Sequence, residues 1–145
     1  MKTLLLALAF VALGTQEKPP RALDLLDASG QQYEKAGNGW AVKFSGNNQK
    51  EIRISVVQTD NLIVLVTLLA YKADIRDLAG LNLELLQKND DYDLVKATVD
   101  DDGDYLLRMD LPPAGHDGKS FNAQLVQIAT ATDLLKPIID KYRKQ

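Results

Sequence analysis

Two short stretches carry residue types that could do chemistry. In the first, Asp100, Asp101, Asp102 and Asp104 crowd around Gly103, a density of carboxylates that could hold calcium or supply a catalytic acid. In the second, the loop PPAGHDGKS, His116 is the sole histidine and stands next to Asp117 and close to Ser120, which invites a Ser/His/Asp hydrolase.

Neither stretch meets the spacing its chemistry requires. An EF-hand loop needs acid ligands at positions one, three and five, glycine at six and a bidentate glutamate at twelve. With Gly103 at six, Thr98 falls first and Met109 twelfth, so both ends fail. A looser calcium site on Asp100, Asp102 and Asp104 is the remaining cation reading, and it would make the protein an envelope small-ligand or calcium-binding protein. For the hydrolase, the chain lacks a G-x-S-x-G elbow, and Ser120 is better placed to cap a helix. A single histidine without any cysteine also argues against zinc. Gly37-Asn38-Gly39 precedes a strand pattern rather than a helix, so a phosphate loop is not indicated. No catalytic residue and no cofactor is expected, with hydrolysis by Ser120 and His116 kept only as a remote alternative.

The aspartates fit a hairpin tip better, and register decides between loop lengths because a slip by one residue turns every side chain to the other face. A two-residue loop at Asp102-Gly103 pairs Val99, Ala97 and Val95 with Leu106, Arg108 and Asp110, mixing core with charge. A three-residue loop of Asp101, Asp102 and Gly103 pairs them with Tyr105, Leu107 and Met109, and one face becomes apolar. It also gives Gly103 the left-handed position that closes a type I turn with a bulge. Lys96 then faces Arg108, an unfavourable pair that Asp110 could relieve.

The elements that would position these stretches follow from periodicity. Ala22, Leu25, Leu26 and Ser29 trace a helix that Gly30 can end. Trp40, Val42 and Phe44, then Ile52, Ile54 and Val56, alternate as strands around a turn at Gly46-Asn47-Asn48. From Asn61 to Ala70 both parities are apolar, which predicts a central strand covered on both faces. Asp74 is expected to cap a helix carrying Ile75, Leu78, Ala79, Asn82, Leu85 and Leu86 and ending near Asn89. Asn82 interrupts its apolar stripe and reads as an amide satisfied by nearby backbone or as a partner contact. A final helix capped by Ser120 carries Phe121, Leu125, Ile128, Leu135, Ile139 and Tyr142, and Pro137 should kink or interrupt it. The order is α-β-β-β-α-β-β-α, an α+β domain on an antiparallel sheet.

The chain has 145 residues, 46% of them hydrophobic, a size and composition for one globular domain. Its formal charge of −3 and the lack of a basic stripe argue against nucleic acid. Lys2 followed by the apolar run Leu4 to Leu13 and a small-residue exit reads as a signal peptide over 1–14, too short to span a bilayer. Residues 15–20 read as a linker and 21–145 as a single domain. A bacterial periplasmic or extracellular location is expected, and zero cysteines mean a fold that depends on its core.

The segment from Leu81-Asn82 through DYDLVKATVDDDGDYLLRMDLPP and into the last helix resembles the bacterial YbjN-type domains, known as sensory transduction regulators. The shared features are a helix ending in a Leu-Asn segment, an Asp-rich glycine turn between strands, an acid-Leu-Pro strand end and a capped terminal helix. The resemblance implies a fold like that of the type III secretion chaperones, no catalysis, frequent dimerisation and action through protein contacts. The expected function is therefore an exported, non-catalytic protein-interaction or chaperone-like module that binds a protein or peptide partner or a second copy of itself. The candidate interface is the doubly apolar strand, through Ile63, Leu65 and Leu69.

Overall fold

The computed structural model describes residues 21–144, so the signal peptide and linker read over 1–20 lie outside the described residues. The chain runs α1 (Ala22–Ser29), β1 (Tyr33–Ala36), β2 (Gly39–Phe44), β3 (Ile52–Gln58), β4 (Ile63–Ala70), α2 (Leu78–Lys88), β5 (Lys96–Val99), β6 (Tyr105–Leu111) and α3 (Gly118–Tyr142). The fold is α+β as expected, with one strand more than the periodicity reveals. The six strands form one antiparallel sheet in the order β1-β2-β3-β4-β6-β5. The added strand, β1, folds back on β2 through a two-residue loop whose first position, Gly37, has φ of 55°, the positive sign that primed hairpin turns ask of this position.

Strand alternation sorts the sheet into two unlike faces. Ile54, Val56, Ile63, Leu65, Leu107 and Met109 point to one side, where they are fully buried with Leu26, Leu81, Phe121 and Leu125 of the three helices. No helix covers the other side among the described residues. There β4 presents Val64 and half-buried Val66, shielded by their cross-strand neighbours, and Leu68, which is 40% exposed. The expectation that both faces of β4 are covered therefore holds only for the helix side. Its double apolarity reflects a central position in the sheet between β3 and β6 rather than a second helical layer.

The helix ends obey capping chemistry with two shifts from expectation. Asp77, not Asp74, caps α2 by accepting the Gly80 N–H at 2.9 Å. Asp74 instead ends a short 3-10 turn, and Ile75 beside it bridges to Arg143. Asp117, not Ser120, is the cap of α3. Its carboxylate accepts the Ser120 N–H while Ser120 Oγ accepts the Asp117 N–H, a reciprocal box. Gly30 closes α1 at φ of 76°, as the sequence indicates.

Pro137 does not interrupt α3, which runs through it to Tyr142. A proline there has no N–H to donate to the carbonyl four residues earlier, that of Asp133. The side-chain amide of Asn48 donates to that carbonyl at 3.1 Å instead. The buried Asp133 carboxylate also accepts the backbone N–H groups of Asn47, Asn48 and Gln49 at 3.0, 2.8 and 2.9 Å. The turn between β2 and β3 is thereby fastened to the last helix. Gly46 is required beside it, since a Cβ there would lie 2.1 Å from the Asp133 carboxylate.

Candidate functional site

The aspartate-rich turn has the geometry of the three-residue loop. Lys96, Ala97, Thr98 and Val99 pair with Arg108, Leu107, Leu106 and Tyr105, and Gly103 has φ of 88°. Val95 lies one residue outside the ladder but is fully buried. Asp100 Oδ1 accepts the N–H groups of Asp102 and Asp104, and Asp104 Oδ1 accepts that of Lys72 at 2.8 Å. Two of the candidate calcium ligands, Asp100 and Asp104, thus shape the loop, and Asp102 does not join them. Among the described residues no three acid or histidine side chains gather in a way that could hold a metal ion. Arg108 is relieved by Asp110 at 2.8 Å, and the Lys96 ammonium turns to the carbonyls of Asn89 and Tyr92.

His116, Asp117 and Ser120 do not form a triad. Asp117 and Ser120 are spent on each other in the α3 cap, which holds the Asp117 carboxyl below its usual range through the Ser120 N–H first and its hydroxyl second. His116 Nδ1 meets no hydrogen-bond partner among the described residues.

The interface candidates on β4 require correction. Ile63 and Leu65 are 0% exposed and Leu69 is 8% exposed, all against the chain's own helices. They are core residues, because β4 is central and the apolar parity they occupy is the one the helices cover.

One group of exposed apolar side chains lies at the sheet edge, beyond β6. The buried residues of α2 are Leu81 and Leu85, while Leu78, Leu83 and Leu86 are exposed, Leu86 to 67%. The buried face centres on Leu81 and Leu85 rather than on Leu78 and Leu86, because those two are the side chains that meet the core. Between α2 and β5 runs a groove of about 270 Å³ lined by Asn82, Leu85, Leu86, Ala97, Val99 and Tyr105. Tyr105 is its floor. Its hydroxyl donates to Asn82 Oδ1 at 2.8 Å, and burial first, then the charge of Asp77, raises its phenol above the ordinary value. Asn82 is therefore satisfied by a side chain rather than by backbone, which leaves its NH₂ as a donor beside the groove.

β5 is an edge strand, and its outward groups at Ala97 are already occupied. Asn89 Oδ1 accepts the Ala97 N–H at 2.6 Å and Asn89 Nδ2 donates to the Ala97 carbonyl at 3.1 Å. One side-chain amide copies the peptide unit of a missing neighbour strand. Sequence patterns do not single out Asn89, since its only signal is a carboxamide placed just after a helix.

Fold and groove together define a small two-layer α+β domain with an apolar trough at one end of its sheet. The chain belongs to the YbjN family, described as "Putative bacterial sensory transduction regulator", whose model matches residues 23–140. Two solved structures share the fold. One is a chain of the heterodimeric complex ExoU-SpcU from the type III secretion system of Pseudomonas aeruginosa, with TM-score 0.58, 18% identity, and 79% of this chain and 93% of that chain covered. The other is YbjN from E. coli, described as "a putative transcription regulator", with TM-score 0.55, 18% identity, and 83% of this chain and 91% of that chain covered. No curated protein matches the chain significantly. No described helix is long and apolar enough to cross a membrane.

Proposed function

We propose that the protein is an exported, non-catalytic interaction domain that holds a segment of a partner protein in the groove between α2 and β5. The observation that carries this reading is the exposure of Leu86 and Val99, 67% and 53%, on opposite walls of a trough floored by buried Tyr105. Large apolar side chains held open to water on rigid elements favour association. At about 270 Å³ the groove is smaller than the roughly 300 Å³ at which small-molecule sites begin, so it suits two or three side chains of a macromolecule. The ExoU-SpcU neighbour, a heterodimer of two proteins, supports protein binding as a use of this fold. Export rests on the signal-peptide pattern of residues 1–14.

The test places a photocrosslinking amino acid at position 86 of the full-length chain in its native cell. A defined protein captured there, and lost with Val99→Asp, is the expected result. Capture of nothing above a control placed at exposed Glu51 would remove the reading. Sequencing the amino terminus of the purified protein tests export, and an intact Met1 would contradict it.

A further inference from the structure

The geometry points to a basic, amphipathic helix as the segment this groove takes, docked by side chains and not by strand addition; this rests on the groove being the binding site. Two independent observations select that occupant.

The first is Asn89. A partner strand joining β5 would need the outward N–H and C=O of Ala97, and both are held by the Asn89 amide at 2.6 and 3.1 Å. Strand addition draws its affinity from such main-chain bonds. With Ala97 closed and β5 only four residues long, the edge offers an incoming strand almost no ladder. A helix satisfies its own backbone, so it needs only the apolar walls. Those walls suit one: Leu86 on α2 faces Val99 on β5 across Tyr105, a trough that an i, i+3, i+4 apolar stripe fills.

The second is charge. Asp100, Asp101 and Asp102 follow Val99 directly at one end of β5, and Asp90 and Asp93 follow Asn89 at the other. Among the described residues, Asp90, Asp93, Asp101 and Asp102 have no ion-pair partner. Of the nearby cations, Lys88 pairs with Asp91 at 2.7 Å, and Lys96, bonded to the Asn89 and Tyr92 carbonyls, keeps its charge, one cation against Asp90 and Asp93. At the tip itself the side chain of Lys72 lies over Gly103, one cation against the three carboxylates that follow Val99. An apolar trough bracketed by unpaired carboxylates complements a helix with leucines on one face and Lys or Arg flanking them. The same brackets repel a second copy of this acidic chain presenting the same face.

The experiment uses the full chain and three synthetic peptides. One forms a helix with leucines at helical spacing flanked by lysines. The second replaces each lysine by glutamate. The third keeps the first composition but alternates leucine and lysine, so that its apolar face appears only as a strand. Titration should show the lysine helix binding at least about tenfold more tightly than the other two, with affinity falling as salt is raised. Leu86→Asp should weaken it about tenfold with the melting temperature unchanged, since Leu86 is exposed. Equal binding of the glutamate helix, tighter binding of the alternating peptide, or no binding of the lysine helix each overturns the inference. Photocrosslinks at position 86 separate this from the wider reading. Captured segments that are acidic, extended or another copy of the chain defeat the basic helix alone, whereas capture of nothing defeats the binding groove itself.

Discussion

Asn48 and Asp133 stand 85 positions apart in sequence and are joined twice: the Asn48 N–H donates to the Asp133 carboxylate and the Asn48 side-chain amide to the Asp133 carbonyl. The second bond exists because Pro137 leaves that carbonyl without its helical donor. Asp133→Ala strips the acceptor from three backbone N–H groups and should cost about 2–3 kcal/mol in chemical denaturation. Asn48→Ala should cost less than that, and its cost should shrink further in a Pro137→Ala background, where the restored backbone N–H of position 137 can take the carbonyl. Identical costs of Asn48→Ala in both backgrounds would disconnect Pro137 from the turn.

Leu65 and Leu86 separate the core from the surface. Leu65→Ala opens a cavity on the helix side of β4 and should cost about 2–5 kcal/mol, whereas Leu86→Ala, on a side chain 67% exposed, should move stability by no more than about 0.5 kcal/mol. Urea unfolding of the two variants decides it. A Leu65→Ala protein as stable as the wild type would return β4 to the surfaces open to a partner.

Glu84 gives the stability curve an acid limb. Hydrogen bonds from Lys141 first and Tyr142 second hold its carboxyl below the ordinary value of 4.5. The folded protein therefore takes up this proton less readily than the unfolded chain. The stabilisation is complete above about 4.5 and is lost as pH falls through the folded value. Melting temperatures of wild type and Glu84→Gln should differ at neutral pH and converge in acid. A separation that stays constant into acid would show that the Glu84 charge contributes nothing.

Gly103 should not take a side chain without cost. At φ of 88° an alanine is strained, and its Cβ would meet Lys72 Cδ at 2.6 Å, so Gly103→Ala should cost about 1–2 kcal/mol. Millimolar calcium should leave the melting temperature of the wild type where it was, because Asp100 and Asp104 serve backbone N–H groups. A calcium-dependent rise would reinstate Asp100, Asp102 and Asp104 as ligands.

Legibility follows locality. The hairpin at Gly103 can be read because a glycine and the parity of Val99, Ala97, Tyr105 and Leu107 fix a turn within a dozen residues. β1 is hidden because Tyr33-Glu34-Lys35-Ala36 is an edge strand with only Tyr33 packed on the core. The start of α2 is ambiguous because Asp74 and Asp77 are both good caps, and its buried face because leucines lie all round it and only packing selects Leu81 and Leu85. The β4 residues look like an interface because a doubly apolar strand reads alike whether a partner or the chain's own neighbours cover it. Asn89 on Ala97 and Asn48 on Asp133 have no sequence signature, since an asparagine does not reveal which distant backbone it will bond.

The first helix rests on the last. α1 and α3 pack together closely enough that a Cβ on Gly118 would sit 2.2 Å from the Ala28 carbonyl oxygen. Residues near the two ends of the domain must therefore meet before either helix is secure, and loop closure over that span precedes most of the burial that stabilises it. A nascent chain that stops short of Phe121 and Leu125 leaves Leu25, Leu26, Ile63 and Leu65 without their cover. The core is therefore complete only once α3 is in place, so removing that last helix uncovers both the sheet and α1.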